Sequence, residues 1–146
     1  YYGLKEYNAD IEYGRSEMIH RGQKLAIVAV GNMVQEAEKV YDRLLADGTN
    51  VTFVNARFVK PFDEELLLKL QKNHKLLVTL EENVQSGGFG EHVLEFMNTS
   101  GDGSMEVLNI AIPDVYVEHG NVELLRKETG IDADGIIGKI IDRKAQ

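Results

Sequence analysis

The sequence predicts an α/β protein of three layers, in which helices cover both faces of a mostly parallel sheet. Two observations support this fold class. Apolar runs of strand length alternate with segments whose apolar residues recur at helical spacing, as in strand–helix–strand units. The run 25–30 is continuously apolar, which is typical of a strand covered on both faces.

The first half of the chain predicts three strands and two helices. Residues 16–21 form a short edge strand, 25–30 a buried strand and 51–54 a third strand. Between the last two lies a helix with apolar residues at helical spacing: Val34, Ala37, Val40, Tyr41, Leu44 and Leu45. Asp63 is the predicted N-cap of the second helix, because two glutamates and a leucine run follow it.

The second half continues the alternation. Residues 76–80 and 107–110 predict two more buried strands, separated by a loop at 81–88 and a helix. That helix carries Val93, Leu94, Phe96 and Met97. Residues 122–128 predict a short helix, and isoleucines at 136, 137, 140 and 141 predict a final amphipathic one.

Length and composition indicate one domain. The chain has 146 residues, 43% of them hydrophobic and 27% charged, which are ordinary values for a globular protein. Residues 1–15 are polar and rich in tyrosine, so we expect a lead-in or linker there and the domain over 16–146. The chain starts with tyrosine rather than methionine, which suggests excision from a larger protein.

Charge and cysteine content narrow the function classes. A net charge of −8 disfavours nucleic acid and anionic membranes as partners, since both are polyanions. The absence of cysteine excludes a disulfide framework and a thiol nucleophile, and it fits a reducing compartment such as the cytoplasm. No apolar stretch approaches the length of a membrane span.

Motifs for nucleotide binding and metal binding are incomplete. The first strand–helix turn carries one glycine, Gly31, where a dinucleotide site needs three. No two histidines have the spacing that places both on one helix face for a metal. The glycine-rich stretch 86–90 has two interpretations, an anion cradle at a helix N-terminus or a tight turn, and we favour the turn because three glutamates flank it.

Paired carboxylates follow the strand 76–80. Glu81 and Glu82 lie where open α/β sheets usually place their sites, so they are candidates for catalysis or metal binding. The alternative, which we favour, is a solvated loop rich in helix caps. The residues alone therefore predict an α/β domain without a complete catalytic constellation.

Four segments resemble 1-deoxy-D-xylulose-5-phosphate synthases, a family similar to transketolase. They are VGNMV at 30–34, VNARFVKPFD at 54–63, TLEENVQSGGFG at 79–90, and IPD at 112–114 with EHG at 118–120. They occur in the family's order, and the resemblance extends over about residues 15–141. The resemblance is to the C-terminal third of those enzymes. It implies a five-stranded, mostly parallel sheet with one antiparallel edge strand, for which we expect the strand 16–21 in a hairpin with the next strand, across the turn Gly22-Gln23.

The resemblance also implies a parent enzyme. Such synthases are homodimers that condense pyruvate with glyceraldehyde 3-phosphate, using thiamine diphosphate and a divalent cation, magnesium. The cofactor machinery belongs to the family's first two domains, so we expect no catalytic, cofactor or metal residue in this chain. Gly101-Asp102-Gly103 matches the first half of the family's diphosphate motif, but no asparagine pair follows it. We interpret it as an ordinary turn.

The expected role is structural. We predict that the domain packs against other domains of its own chain and a second identical subunit. The candidate interface residues near strand ends are Arg57, Glu81, Glu82, Phe89 and His119. Phe89 has two alternatives, an exposed interface residue or a core residue. The rival function is a partner-docking or regulatory module of the type found in transketolases and 2-oxoacid dehydrogenase β subunits.

Overall fold

The computed structural model describes residues 10–116 and 119–145 of the chain. Within these residues a single sheet has five strands: β1 Glu17–His20, β2 Lys24–Ala29, β3 Thr52–Asn55, β4 His74–Val84 and β5 Glu106–Ile112. The helices are α1 Met33–Ala46, α2 Glu64–Leu70, α3 Phe89–Ser100, α4 Val122–Thr129 and α5 Ala133–Ala145. The α/β class, the five strands and the antiparallel edge strand predicted from the sequence are confirmed.

The sheet has the strand order β1-β3-β2-β4-β5, and only β1 is antiparallel to its neighbour. The expected hairpin between β1 and β2 is wrong, because β1 pairs with β3 instead. Gly22 explains the path, since its amide donates to Thr52 Oγ1 at 2.9 Å and an added Cβ would lie 2.4 Å from the Val51 carbonyl carbon. The connection therefore presses against the start of β3.

The antiparallel pairing sets where the chain enters the sheet. Glu17, at the start of β1, lies opposite Asn55, the last residue of β3. The parallel strands β2, β3 and β4 end at this same edge, which we call the carboxyl edge. The residues just before β1 are held there, since the Ser16 amide donates to Asp63 and Arg15 contacts both Asp63 and Glu65.

Two apolar cores cover the two faces of the sheet. The alternating side chains of β2 divide between them, with Leu25 and Ile27 on one face and Ala26 and Val28 on the other. Helices α1 and α5 pack on the first face, and α2 and α3 on the second. Helix α4 contributes no buried residue to either core.

Two local details position the carboxyl edge. Asp63 is the N-cap of α2 as predicted, since its side chain accepts from the Leu66 amide at 3.1 Å. The loop predicted at 81–88 is wrong in its first half, because β4 continues through Val84. The pairing of β4 with β5 shifts register between Leu80 and Val84, and this irregularity re-aims the side chains between them.

Candidate functional site

The carboxyl edge brings together polar groups from three strands. Asn32 follows β2, and Arg57 follows β3. Glu81 and Glu82 lie near the end of β4. Asn32, Glu81 and Glu82 line a cleft of about 320 Å³, and Lys60 and His92 line it as well. In open α/β sheets this is the edge where ligands bind.

Glu81 points inward and caps helix α3. Its side chain is 2% exposed, and its two oxygens accept from the amides of Phe89 and Gly90, each at 2.8 Å. These amides belong to the first turn of α3, where backbone donors lack partners within the helix. The carboxylate also complements the positive end of the helix dipole. Glu81 therefore occupies the position that a bound anion would take, which supports the turn interpretation of the glycine-rich stretch.

The glycines of that stretch permit the close approach. A Cβ on Gly88 would lie 2.5 Å from Glu81 Oε2, so a side chain there would displace the capping carboxylate. A Cβ on Gly90 would lie 2.1 Å from Asn109 Oδ1 and 2.5 Å from Thr79 Oγ1. Helix α3 thus rests directly on β4 and β5 at this point.

Phe89 is a core residue in this structure. Its side chain is 2% exposed and belongs to the cluster beneath α2 and α3. Its ring meets that of Phe62 edge-on, with centroids 6.3 Å apart. Of the two alternatives for Phe89, burial describes the fold, and the exposed alternative is corrected.

Glu82 joins three elements through an ionic cluster. Its Oε1 accepts from Arg126 Nε of α4 at 2.8 Å, and its Oε2 accepts from Asn32 Nδ2 at 3.3 Å. Arg126 also contacts Glu36 of α1 at 3.4 Å, and Lys39 binds the same Glu36 oxygen at 2.7 Å. The hydrogen bond from Arg126 holds the pKa of Glu82 below its ordinary value, and that bond raises the pKa of Arg126.

Arg57 is bound within its own chain. Its Nη2 lies 3.0 Å from Glu17 Oε2 of β1, and both side chains are largely buried. The backbone of Arg57 is left-handed, with φ of 58°, and its amide donates to Asn55 Oδ1 at 3.0 Å. The pair fastens the edge strand to the end of β3.

The remaining candidate, His119, is exposed on the segment that leads into α4. Val117 and Glu118 lie outside the described residues, so the Glu118-His119 pair is described only at His119. The role of Arg126 was not predicted, because its partners Glu82 and Glu36 lie 44 and 90 positions away and leave no local pattern in the sequence. Lys60 and His92, which line the cleft, were not predicted either.

The glutamates at the carboxyl edge bind other groups of the same domain. The carboxylate of Glu81 is bound by two backbone amides, and that of Glu82 is bound by a guanidinium and a side-chain amide. Among residues 10–116 and 119–145, no three acidic or histidine side chains cluster to hold a metal. None of the helices in this part of the chain has the length and apolarity needed to cross a membrane.

Comparisons with known proteins agree with the geometry. Residues 14–136 match the family described as transketolase, C-terminal domain. The chain is 44% identical to a 1-deoxy-D-xylulose-5-phosphate synthase of Lachnoclostridium phytofermentans over 96% of this chain and 22% of that protein. It is 42% identical to the synthase of Heliobacterium modesticaldum, over 91% of this chain and 20% of that protein.

A solved structure gives the same fold. It is described as "Split gene transketolase, inactive beta4 tetramer", and it superposes with a TM-score of 0.82 at 27% identity, covering 92% of this chain and 43% of that one. The chain spans about a fifth of the curated relatives it matches, less than the third expected from the motifs. This chain belongs to the transketolase C-terminal domain family, and the curated relatives it resembles are 1-deoxy-D-xylulose-5-phosphate synthases.

Proposed function

We propose that this chain is the C-terminal assembly domain of a synthase that condenses pyruvate with glyceraldehyde 3-phosphate to 1-deoxy-D-xylulose 5-phosphate, releasing carbon dioxide. The synthase relatives at 40–44% identity support the parent activity. The product is a precursor in isoprenoid, thiamine and pyridoxal synthesis. The domain itself holds parts of the enzyme in place and carries out no chemical step.

The observation that carries the proposal is the internal use of the carboxyl edge. Glu81 fills the helix terminus where an anion would bind, and Glu82 is bound by Arg126 and Asn32. A site built to bind substrate would leave such groups directed toward a ligand. Here they hold helices α1, α3 and α4 against the sheet.

Thiamine diphosphate, which the family implies for the parent enzyme, does not fit the one described segment that matches half of the family's diphosphate motif, residues 101–103. Hydrogen bonds from the Ser104 side chain and from the Ser104 amide, the latter at 2.9 Å, keep the pKa of Asp102 below its ordinary value. The Asp102 amide donates to Gln71 Oε1 at 3.1 Å. Gly101-Asp102-Gly103 is thus committed to a turn, and we assign the cofactor and magnesium to other domains of the parent protein.

The proposed partners are the other domains of the same polypeptide and a second identical subunit. Val59 and Lys60 are exposed at the carboxyl edge, beside the ion-paired Arg57, and they offer a surface to a neighbouring domain. The structurally similar transketolase is described as a β4 tetramer, so identical chains carrying this domain associate in that protein. This observation supports self-association of the parent synthase.

Two measurements test the proposal. The long polypeptide that contains this chain should form 1-deoxy-D-xylulose 5-phosphate from pyruvate and glyceraldehyde 3-phosphate, and the 146-residue chain should not. Calorimetry on the 146-residue chain should give no heat with thiamine diphosphate, NAD or inorganic phosphate. Tight binding of thiamine diphosphate would overturn the assignment, and tight binding of phosphate would favour the alternative of a regulatory module.

A further inference from the structure

Residues 12–16, which lead into β1, are bound to the loop between β3 and α2. Arg15 Nη1 lies 3.2 Å from Asp63 Oδ1 and 2.7 Å from Glu65 Oε2. The Ser16 amide donates to Asp63 Oδ2 at 3.0 Å. These ionic and backbone contacts hold the segment at the carboxyl edge, and we call residues 12–16 the lead-in clamp.

A turn and a ring contact complete the lead-in clamp. The Arg15 amide donates to the Glu12 carbonyl at 3.1 Å, which closes a turn. Gly14 lies within this turn with a left-handed φ of 72°, which glycine adopts without strain. The Tyr13 ring meets that of Phe58 edge-on, with centroids 5.5 Å apart. The contacts therefore define the path of the chain over the whole turn.

The lead-in clamp exposes apolar side chains on its outer side. Tyr13 is 75% exposed in spite of its ring contact, and Ile11 is 71% exposed. Val59, the residue after Phe58, is 46% exposed. We call Ile11, Tyr13 and Val59 the lead-in patch. Val59 lines both the cleft of the carboxyl edge and a groove of about 390 Å³ between α2 and α3, so the patch borders two concave surfaces.

The composition of the lead-in patch is that of a covered surface. Tyrosine and aliphatic side chains are favoured at the centres of interfaces. The charged groups beside the patch are paired within the domain, since Arg15 binds Asp63 and Glu65 and Arg57 binds Glu17. An apolar surface can therefore cover the patch without leaving these charges unpartnered.

The course of the polypeptide indicates what covers the lead-in patch. A turn keeps the Cα atoms of Glu12 and Arg15 within about 7 Å of each other, and each further residue reaches at most about 3.6 Å. The polypeptide ahead of Glu12 therefore starts beside the patch. The matching family is that of a C-terminal domain, and the match to the synthase of Lachnoclostridium phytofermentans covers 22% of that protein. In such a protein most of the polypeptide precedes this domain, whereas a second copy reaches the patch only by passing the same segment.

We propose that the lead-in clamp is a rigid joint that seats the preceding domain of the same polypeptide on the lead-in patch. The proposal rests on the function assigned above, in which this chain is part of a longer synthase. A flexible linker lets two domains adopt many relative positions. A clamped turn instead fixes the direction in which the polypeptide leaves β1, and the exposed Tyr13 and Ile11 then face the domain that they precede or follow.

The first experiment is hydroxyl-radical labelling of the long polypeptide and of the 146-residue chain. Because interface cores pack as densely as protein interiors, the labelling rate of Tyr13 should be at least about threefold lower in the long polypeptide. Leu45 is the internal reference, since it is 48% exposed at the far end of α1 from the carboxyl edge, and its rate should be equal in both. Equal labelling of Tyr13 in the two proteins overturns the proposal.

The second experiment tests the lead-in clamp with a matched pair of variants of the long polypeptide. Arg15 and Lys69 both bind Glu65, but only Arg15 belongs to the clamp. Arg15→Ala should raise the labelling of Tyr13 toward its rate in the 146-residue chain, and Lys69→Ala should leave it unchanged. Circular dichroism checks that both variants are folded. Unchanged labelling in a folded Arg15→Ala variant would contradict the role of the clamp.

The third experiment identifies the covering surface and uses no variant of the clamp. With Val59→p-benzoylphenylalanine in the long polypeptide, irradiation should join position 59 to a peptide from the part of the polypeptide ahead of this domain. That product keeps the mass of one chain on a denaturing gel. A product of twice that mass would show that a second copy covers the patch, and a cross-link confined to the 146 residues would show that nothing does; either result overturns the proposal.

The two proposals fail separately, because labelling and cross-linking need no enzymatic activity. A long polypeptide that makes no 1-deoxy-D-xylulose 5-phosphate but protects Tyr13 would contradict the proposed function and support the joint. An active synthase with an unprotected Tyr13 would do the reverse.

Discussion

The carboxylate of Glu81 accepts a hydrogen bond from the amide of Phe89 at 2.8 Å. A side chain near the end of β4 thereby caps the next helix, whose first residue lies eight positions further along the chain. The strand supplies a fixed charge, and the helix supplies donors that have no other partner. This relationship determines how α3 sits on the sheet.

Removal of this cap should destabilise the domain. Glu81→Ala leaves two buried amides without acceptors, and we expect a loss of about 3 kcal/mol in the free energy of unfolding. Glu81→Gln retains one acceptor oxygen and should lose less. Urea denaturation followed by circular dichroism measures both. Glu91→Ala is the matched control, since exposed Glu91 accepts from the Gly87 amide at the same helix end. A loss for Glu81→Ala no larger than that of the control would contradict the role of the cap.

Two helical glycines should respond oppositely to alanine. At Gly90 the added Cβ meets Asn109 and Thr79 at 2.5 Å or less, so Gly90→Ala should destabilise by about 1–3 kcal/mol. At Gly138 of α5 nothing lies within 4 Å, so Gly138→Ala should stabilise by about 0.5–1 kcal/mol. Thermal melts of the two variants measure these changes in stability. A change of the same sign in both variants would contradict the packing argument.

The ionic cluster should give the domain an acid-sensitive component of stability. Because the folded pKa of Glu82 is lowered from 4.5, its contribution is complete above that value and is lost as the pH falls through the lowered pKa. At pH 7 we expect Arg126→Ala to lower the free energy of unfolding by about 1–3 kcal/mol. The substitution removes the guanidinium from both Glu82 and Glu36, and Glu36 keeps only Lys39 as a partner among the described residues. The difference in the free energy of unfolding between the wild type and Arg126→Ala should shrink as the pH falls from about 5 to about 3. Denaturation curves at a series of pH values test this, and a constant difference would exclude Glu82 as the titrating partner.

Arg57 combines an ion pair with an unfavourable backbone. Arg57→Ala removes the bond to Glu17 and keeps a side chain at φ of 58°, whereas Arg57→Gly removes the bond and relieves the backbone. The glycine variant should therefore be more stable than the alanine variant by about 1 kcal/mol. Chemical denaturation compares them directly. An alanine variant as stable as the glycine variant would show that the left-handed backbone carries no measurable penalty.

Local signals in the sequence predicted the helices and strands well, but they did not predict which residues far apart in the sequence contact each other. The N-cap Asp63 was predictable because its acceptor role depends on the next three residues. The partner of β1 was not predictable, since a two-residue turn favours a hairpin. The pairing with β3 instead depends on the close approach of Gly22 to Val51, which are far apart in the sequence.

The candidate site shows the same division. The glutamate pair and the glycine-rich turn were placed correctly at the carboxyl edge. The favoured interpretation of the pair as a solvated loop was wrong, because both glutamates belong to β4 and Glu81 is buried. Glu81 turns inward to amides eight and nine residues ahead, and Glu82 turns toward Arg126 on a distant helix. Alternation along a strand places two consecutive glutamates on opposite faces of the sheet. It does not identify which hydrogen-bond donors lie on each face.

The antiparallel course of β1 has a consequence for affinity. Because Glu17 lies beside Asn55, the polypeptide ahead of β1 is tethered at the carboxyl edge itself. A domain joined there meets that edge as an intramolecular partner, at an effective concentration on the order of millimolar for a short linker. Contacts too weak to hold a separate protein are then sufficient, so a polar edge with buried ion pairs can serve as an interdomain surface without a large apolar patch.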